Sequence, residues 1–221
     1  MSNFGVSRLR LVNPYTVAFR EARSAVGAHD VLKDAKEFGS LAEAVSDCTL
    51  VVGTTAVRNR TLQHPLHRLD QRAGSIIRKQ LRTGPAGLLF GSEKIGLTNE
   101  DFSHCHWVLH VPTEEQHVSM NLGQAVAVCL YELAHAGKTK SKPETELKKS
   151  GIKRATMRDN EQITDALLEA LHKSGYVKPG TDAVTEKKVR SLILRLRLEE
   201  MDAKVLLGMV RQIVWKLRRK S

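Results

Sequence analysis

Residues Leu88–Leu133 read LLFGSEKIGLTNEDFSHCHWVLHVPTEEQHVSMNLGQAVAVCLYEL. Leu88, Leu89 and Phe90 form a short apolar run that stops at Gly91, as a buried strand does. Gly91 and Gly96 bracket a loop in which backbone can approach a ligand without Cβ interference. Thr98 followed by Asp101 is a capping-box start for a short helix, with Asp in place of the usual Glu or Gln. Trp107 to Val111 reads as a second buried strand, closed by Pro112. Ser119 is placed to cap a helix with Leu122, Val126, Leu130 and Leu133 on one face.

Upstream, the same alternation of strand and helix continues. Leu9 to Val12 reads as a strand ended by Asn13-Pro14. Ala18 to Ala25 predicts a helix, and Ala28 to Val31 leads to an exposed segment. Leu41 to Ala44 predicts a short helix capped by Ser40, with Glu43 three residues on. Leu50 to Val52 predicts a strand ending at Gly53-Thr54-Thr55, and Ser75 to Leu81 a helix. Such alternation indicates an α/β domain with a mainly parallel sheet. In these sheets ligands bind beyond the carboxyl ends of the strands. Gly53 to Ala56, Gly91 to Glu93 and Val111 to Asn121 all follow strands, so together they form a pocket hypothesis. Taken singly, a glycine after a strand serves equally well as a turn.

Downstream, Gly137 to Ser150 is a Lys-rich polar linker with one proline. Three amphipathic helices follow. The first runs from about Asn160 to Lys173, with Ile163, Leu167, Leu168 and Leu171 inward. The second carries Val189, Leu192, Ile193 and Leu196. The third carries Val205, Leu206, Met209, Val210, Ile213, Val214 and Leu217. Their outer faces are read as basic, with Lys187, Lys188, Arg190, Arg195, Arg197 and Arg211 among them. The domain reading is thus 1–137 for the α/β part, 138–150 for the linker and 151–221 for a helical extension.

The net charge is +11, and residues 138–221 carry +10 of it. That asymmetry points to a polyanionic partner held by phosphate contacts, or to a solvated basic helix face. No apolar run approaches the ~20 residues of a membrane span, and no signal peptide follows Met1, so a cytoplasmic protein is expected. Cys48, Cys105 and Cys129 are too widely spaced for a disulfide framework or a zinc site. His104, His106 and His110 are read as an incidental surface on one strand face, and no metal is assigned.

Two motifs, FGSEKIGL (Phe90 to Leu97) and SMNLGQAVAVCLYEL (Ser119 to Leu133), closely resemble the second and third motifs of the SPOUT methyltransferases. The nearest likeness is to the TrmH/TrmJ group of tRNA and rRNA ribose 2′-O-methyltransferases. It extends through VVGTTAVRNR (Val51 to Arg60) and NFGVSRLRLVNP (Asn3 to Pro14). The resemblance implies an α/β domain with a C-terminal trefoil knot, followed by a small all-α extension. It implies S-adenosylmethionine as cofactor, a homodimer, and transfer of methyl to a ribose 2′-oxygen. The implied substrate is tRNA, or else rRNA, with cytidine or uridine at nucleotide 32 of the anticodon loop favoured. Carried over to this sequence, cofactor contacts come from Thr54, Thr55, Ala56, Gly91, Val111, Val118, Ser119, Met120, Asn121 and Leu122. Catalytic roles fall to Ser119, Asn121 and Glu93. Ser119 also reads as a plain helix cap, and Glu93 as a solvated loop charge.

The resemblance also implies a motif-one arginine, in an N-x-G-x-x-x-R pattern just ahead of the segment resembling NFGVSRL. This chain opens at Met1-Ser2-Asn3-Phe4-Gly5, immediately after that position. The expectation is that the first strand and most of the first helix of the family fold are missing here, through a start lying upstream or a truncated form. Arg8 and Arg10 lie past the motif and take no part of its role. A catalytically silent RNA-binding protein with the same fold is the alternative this leaves open.

Overall fold

The computed structural model describes residues 1–14, 29–56, 64–114, 120–136 and 153–219. The expected helix over Ala18 to Ala25 and the expected linker over Gly137 to Ser150 lie outside them, as do Val118 and Ser119.

The strands are β1 (Arg10–Val12), β2 (Lys36–Phe38), β3 (Leu50–Thr55), β4 (Leu66–Arg68), β5 (Ala86–Leu89) and β6 (Trp107–His110). Every ladder between them is parallel, as the sequence predicts. They form a two-stranded sheet, β1-β2, and a four-stranded sheet in the order β4-β6-β3-β5. Strand β3 is central and its first residues form an unbroken apolar run. Leu50, Val51 and Val52 are all buried, the pattern of a parallel strand covered on both faces. Val51 and Val108 face one core cluster, while Leu50, Val52 and Leu109 face another. The strand runs on through Gly53, Thr54 and Thr55, three residues beyond the expected end. Gly53 is required there, since a Cβ would lie 2.9 Å from Cys105 Sγ and 3.1 Å from the Phe102 ring.

Short helices α1 (His29–Lys33) and α2 (Leu41–Ala44) precede β3. Ser40 Oγ accepts the Glu43 N–H, the expected cap. Helix α3 (Gln71–Leu81) starts four residues before the predicted Ser75, because Asp70 caps it by accepting the Ala73 N–H at 2.8 Å. Helix α4 (Asn99–Ser103) opens with the full capping box of Thr98 and Asp101. Helix α5 (Leu122–His135) packs on α3. Gly74 allows that approach, since a Cβ there would sit 2.6 Å from Ala136 Cβ, and Arg78 Nη1 donates to the carbonyls of Leu133 and Ala134.

Three long helices complete the fold: α6 (Met157–Lys173), α7 (Asp182–Leu196) and α8 (Glu200–Arg218). They are not set apart from the α/β core. Met157 and Leu194 share a buried cluster with Val51, Phe102, Cys105 and Val108. The Met157 and Arg158 N–H groups donate to the carbonyls of Cys48 and Ser46. Arg190, expected on an outer face, is instead buried at 6% exposure. Its guanidinium bonds Glu161 at 2.8 Å, Glu186 at 2.5 Å, and Glu100 and Ser103 of α4 at 3.2 and 3.0 Å. Three carboxylates compensate the charge, which is why burial is tolerated.

Several residues expected inward are exposed. Leu192, Leu196, Val205, Met209 and Ile213 face outward, while Ile193, Ala203, Val210 and Val214 take the core positions. Helix α8 carries apolar residues on two faces, and periodicity alone does not say which one packs. The histidines also differ from expectation, since His104 and His106 are buried rather than superficial. His104 ends α4, where its Nδ1 stands 3.2 Å from Glu161 Oε1. His106 Nδ1 accepts the Val51 N–H at 3.0 Å, and the His106 N–H donates to the Val51 carbonyl. That pair extends the β3–β6 ladder by one side chain. Burial, and then the charge of Arg197, hold the imidazole down to about 3, so it is neutral and able to accept.

Candidate active site

The parallel order β6-β3-β5 sets three strand ends side by side on one edge. The segments leaving them are Thr54–Ala56, Phe90–Leu97 and Val111–Thr113. They meet the start of α5 around an open cleft of about 310 Å³. Of the residues singled out from sequence, Thr54, Thr55, Ala56, Gly91, Glu93, Val111, Met120 and Leu122 line this cleft.

Each segment is fixed by a local device. Thr54 Oγ1 donates to the Leu89 carbonyl at 2.7 Å, tying the end of β3 to β5. The loop after β5 closes on itself through the Gly96 N–H to the Ser92 carbonyl at 2.8 Å. Gly96 has φ of +70°, a conformation glycine adopts at no steric cost. Gly91 is the tighter constraint, since a Cβ there would lie 2.0 Å from the Gly96 carbonyl carbon and 2.2 Å from the Leu97 nitrogen. Two backbone strands therefore pass in contact at this point, and no side chain fits between them. Leu97 is buried beneath the loop and anchors it to the core.

The start of α5 corrects one expectation. Its N-cap is Asn121, not Ser119, and Asn121 Oδ1 accepts the Gly123 N–H at 2.8 Å. The Asn121 amide also donates to Glu93 Oε1 at 3.1 Å, and the Leu122 N–H reaches the same oxygen at 3.4 Å. The glycine loop is thereby joined to the helix by one carboxylate, in the place where a negative charge favours the helix dipole. Among the described residues, Glu93 and Lys94 are the ionisable side chains of the cleft, and Val111, Met120 and Leu122 supply apolar wall. Sequence reading passed over Lys94, Thr113 and Ala125. Ala125 follows Leu122 by one helical turn, a spacing that puts both on one face.

The arginines near the start of the chain stand elsewhere. Arg10 forks onto Asp47 at 2.5 and 2.8 Å and donates to the Ala44 carbonyl. The hydrogen bond with Arg10 holds the Asp47 carboxyl below the usual range against its partial burial. Arg10 is thus a structural tie between β1 and the turn after α2. The three cysteines are buried and unpaired, and burial pushes the thiols of Cys48 and Cys129 up to about 11 and about 12. Among the described residues no three His, Cys, Asp or Glu side chains are grouped so as to hold a metal ion.

The cleft thus lies at parallel strand ends, floored by a glycine that admits no side chain and closed by a capped helix. The sequence profile of the SpoU rRNA Methylase family matches residues 1–131. This chain belongs to that family. Similar members include the tRNA (cytidine/uridine-2′-O-)-methyltransferase TrmJ of Pectobacterium atrosepticum, 33% identical over 218 residues, covering 96% of this chain and 88% of that one. The TrmJ of Klebsiella pneumoniae is 33% identical over 220 residues, covering 96% and 87%. The crystal structure of TrmJ from Z. mobilis ZM4 superposes with a TM-score of 0.81 at 30% identity, covering 96% of this chain and 89% of that chain. Both kinds of likeness span the SpoU match and the three helices beyond it.

Proposed function

We propose that the protein is an S-adenosylmethionine-dependent methyltransferase acting on a ribose 2′-oxygen of tRNA. The favoured target is cytidine or uridine at nucleotide 32 of the anticodon loop. The observation that carries this reading is the cleft itself, where Gly91, Glu93 and Asn121 are locked together in a chain of the SpoU family. The residues present fit the cofactor. The Gly91 crossing leaves bare backbone against the cleft, Val111, Met120 and Leu122 offer an apolar slot, and strand-end backbone groups offer hydrogen bonds to a purine. Thr54 to Ala56, Gly91, Val111 and Met120 to Leu122 would hold it, and Val118 and Ser119, outside the described residues, are assigned to the same contact set. When bound, the cofactor supplies an electrophilic methyl group on its sulfonium.

The protein's own work is positioning. A ribose hydroxyl is a poor nucleophile, and its approach must be fixed in line with the methyl. Glu93 Oε1 is engaged by Asn121 and Leu122, so the Glu93 carboxylate is oriented by the helix start. It leaves Oε2 to accept a hydrogen bond from the ribose hydroxyl. Asn121, bonded to the same carboxylate, and Ser119 share this role. On the same reading the chain passes through a trefoil knot near α5, works as a homodimer, and is cytoplasmic. Among the described residues no helix is long and apolar enough to cross a membrane. Helices α6 to α8 are the tRNA-contacting extension, its positive charge carried mainly by α7, α8 and the residues after α8, with residues 1–137 as the catalytic part.

The test is an anticodon stem–loop with cytidine at position 32, compared with the same RNA carrying 2′-deoxycytidine there. Methylation of the first alone is expected. Equal labelling of both would point to a base or to another nucleotide and would contradict the proposal.

A further inference from the structure

A second groove shares no lining residue with the strand-end cleft. It runs between α6 and α8 and has a volume of about 420 Å³. Gln162, Asp165 and Glu169 line it from α6, and Arg211, Trp215 and Arg218 from α8. The chain has two tryptophans. Trp107 is buried in the sheet core, whereas Trp215 is 45% exposed, high for a residue that is mostly buried on average.

The groups around Trp215 are arranged for a flat, anionic ligand. The Arg219 guanidinium sits 4.2 Å from the indole centroid, within cation–π range, and takes no part in lining the groove. Arg218 forks onto Glu169 at 2.7 and 2.8 Å, so that pair is a neutral wall. Arg211 forms no ion pair with any described residue, which leaves its charge for a ligand. Gln162 and Asp165 are spaced i, i+3 on α6 and present an amide and a carboxyl with no hydrogen-bond partner among the described residues. Burial, with the neighbouring Glu161, raises the Asp165 carboxyl. From Ala203 to Arg219 the helix carries Lys204, Arg211, Lys216, Arg218 and Arg219 and no acidic residue.

We propose that this groove holds one unpaired nucleotide of the RNA substrate. The base stacks on Trp215, Gln162 and Asp165 hydrogen-bond its polar edge, and Arg211 takes the adjoining phosphate. An aromatic platform beside a free cation is how proteins bind single-stranded nucleic acid. The proposal rests on the RNA-methyltransferase reading, but it concerns a groove that shares no residue with the cleft and can be measured without catalysis.

The experiment follows intrinsic tryptophan fluorescence of the full chain during titration with an unmodified tRNA transcript. Methyl transfer by the same preparation is assayed alongside. Trp107 is shielded in the core, so quenching reports on Trp215, and Trp215→Phe serves as a fluorescence control with only Trp107 emitting. Quenching in wild type, its absence in Trp215→Phe, and a loss of tRNA affinity of roughly 10- to 100-fold in Trp215→Ala are expected. Circular dichroism and melting of Trp215→Ala should match wild type, because the side chain is exposed. Arg211→Ala should lower the slope of log affinity against log salt by about one phosphate contact. Methyl transfer without quenching, and with Trp215→Ala binding tRNA as tightly as wild type, would overturn the groove and leave the methyltransferase reading intact. Quenching and affinity loss without methyl transfer would uphold the groove and overturn that reading. If Trp215→Ala only converts a dimer to a monomer in sedimentation, with tRNA affinity unchanged, the groove is a self-contact and the proposal fails.

Discussion

At the scale of single residues, the side chains that matter most are those whose partners are remote in sequence. His106 shows this. Alternation along β6 marks a face but cannot reveal that Nδ1 completes the pairing of Val51, 55 residues away. Arg190 shows it again, because its carboxylate partners lie on three segments and Glu100 is 90 residues distant. A charged residue amid helix-period apolar positions reads as an outer face until those partners are known. Gly91 was legible, because a glycine at the end of an apolar run marks a backbone approach. The neutral, buried His106 has a consequence for pH. Its folded value is about 3 against an ordinary 6.5, so between those values the unfolded chain binds the extra proton. Stability attributable to this group is complete above pH 6.5 and falls by about 1.4 kcal/mol for each pH unit below it, down to about 3. Urea unfolding from pH 7 to 4.5 should show this slope in wild type. His106→Gln, which has nothing to protonate, should flatten it by about one proton, and an unchanged slope would show that His106 is not held neutral.

At the scale of elements, local signals were read well and edges poorly. The caps at Ser40 and Thr98 and the strands β3, β5 and β6 follow from residue types at fixed spacing. Strands β2 and β4, Lys-Glu-Phe and Leu-His-Arg, were missed. Each is three residues long, lies at a sheet margin and is mostly exposed, so it carries no apolar alternation. The start of α5 was placed at Ser119 because serine is a good cap. Asn121 is equally good and has in addition an amide to give Glu93. That double duty makes a clean prediction. Asn121→Ala should cost about 1 kcal/mol in stability and weaken S-adenosylmethionine binding about tenfold or more by calorimetry. Asn121→Asp should keep the cap, restoring the melting temperature, yet still bind poorly, since its carboxylate faces Glu93. Normal affinity in both variants would remove the helix start from the cofactor site.

At the scale of the whole molecule, the α/β class and the helical tail were visible in the sequence. The way they join was not. Met157 and Leu194 complete the core over β3 and β6, and Arg190 spans from α7 to α4. The helices are therefore part of the folded unit that presents the cleft, and the sheet face bearing Val51 and Val108 depends on them. Removing the Arg190 side chain would leave Glu161 as a partly buried carboxylate without its main cation. Arg190→Ala should cost about 3 kcal/mol in urea unfolding, and the double replacement Arg190→Met with Glu161→Met should recover most of it. A loss below 1 kcal/mol would mean that the Arg190 cluster adds little, and that apolar contact and the backbone hydrogen bonds of Met157 and Arg158 hold the helices on.

The cleft at Gly91 and Glu93, with Asn121 bonded to Glu93, is proposed to serve ribose methylation. Its most direct test is transfer of tritiated methyl from S-adenosylmethionine to bulk tRNA by this 221-residue chain, followed by alkaline hydrolysis. A 2′-O-methyl group removes the hydroxyl that attacks the neighbouring phosphodiester. The account therefore predicts label recovered in alkali-resistant dinucleotides, and absent when Gly91→Ala is used. Label released in mononucleotides would place the methyl on a base, and no label at all from the wild-type chain would contradict the claim outright.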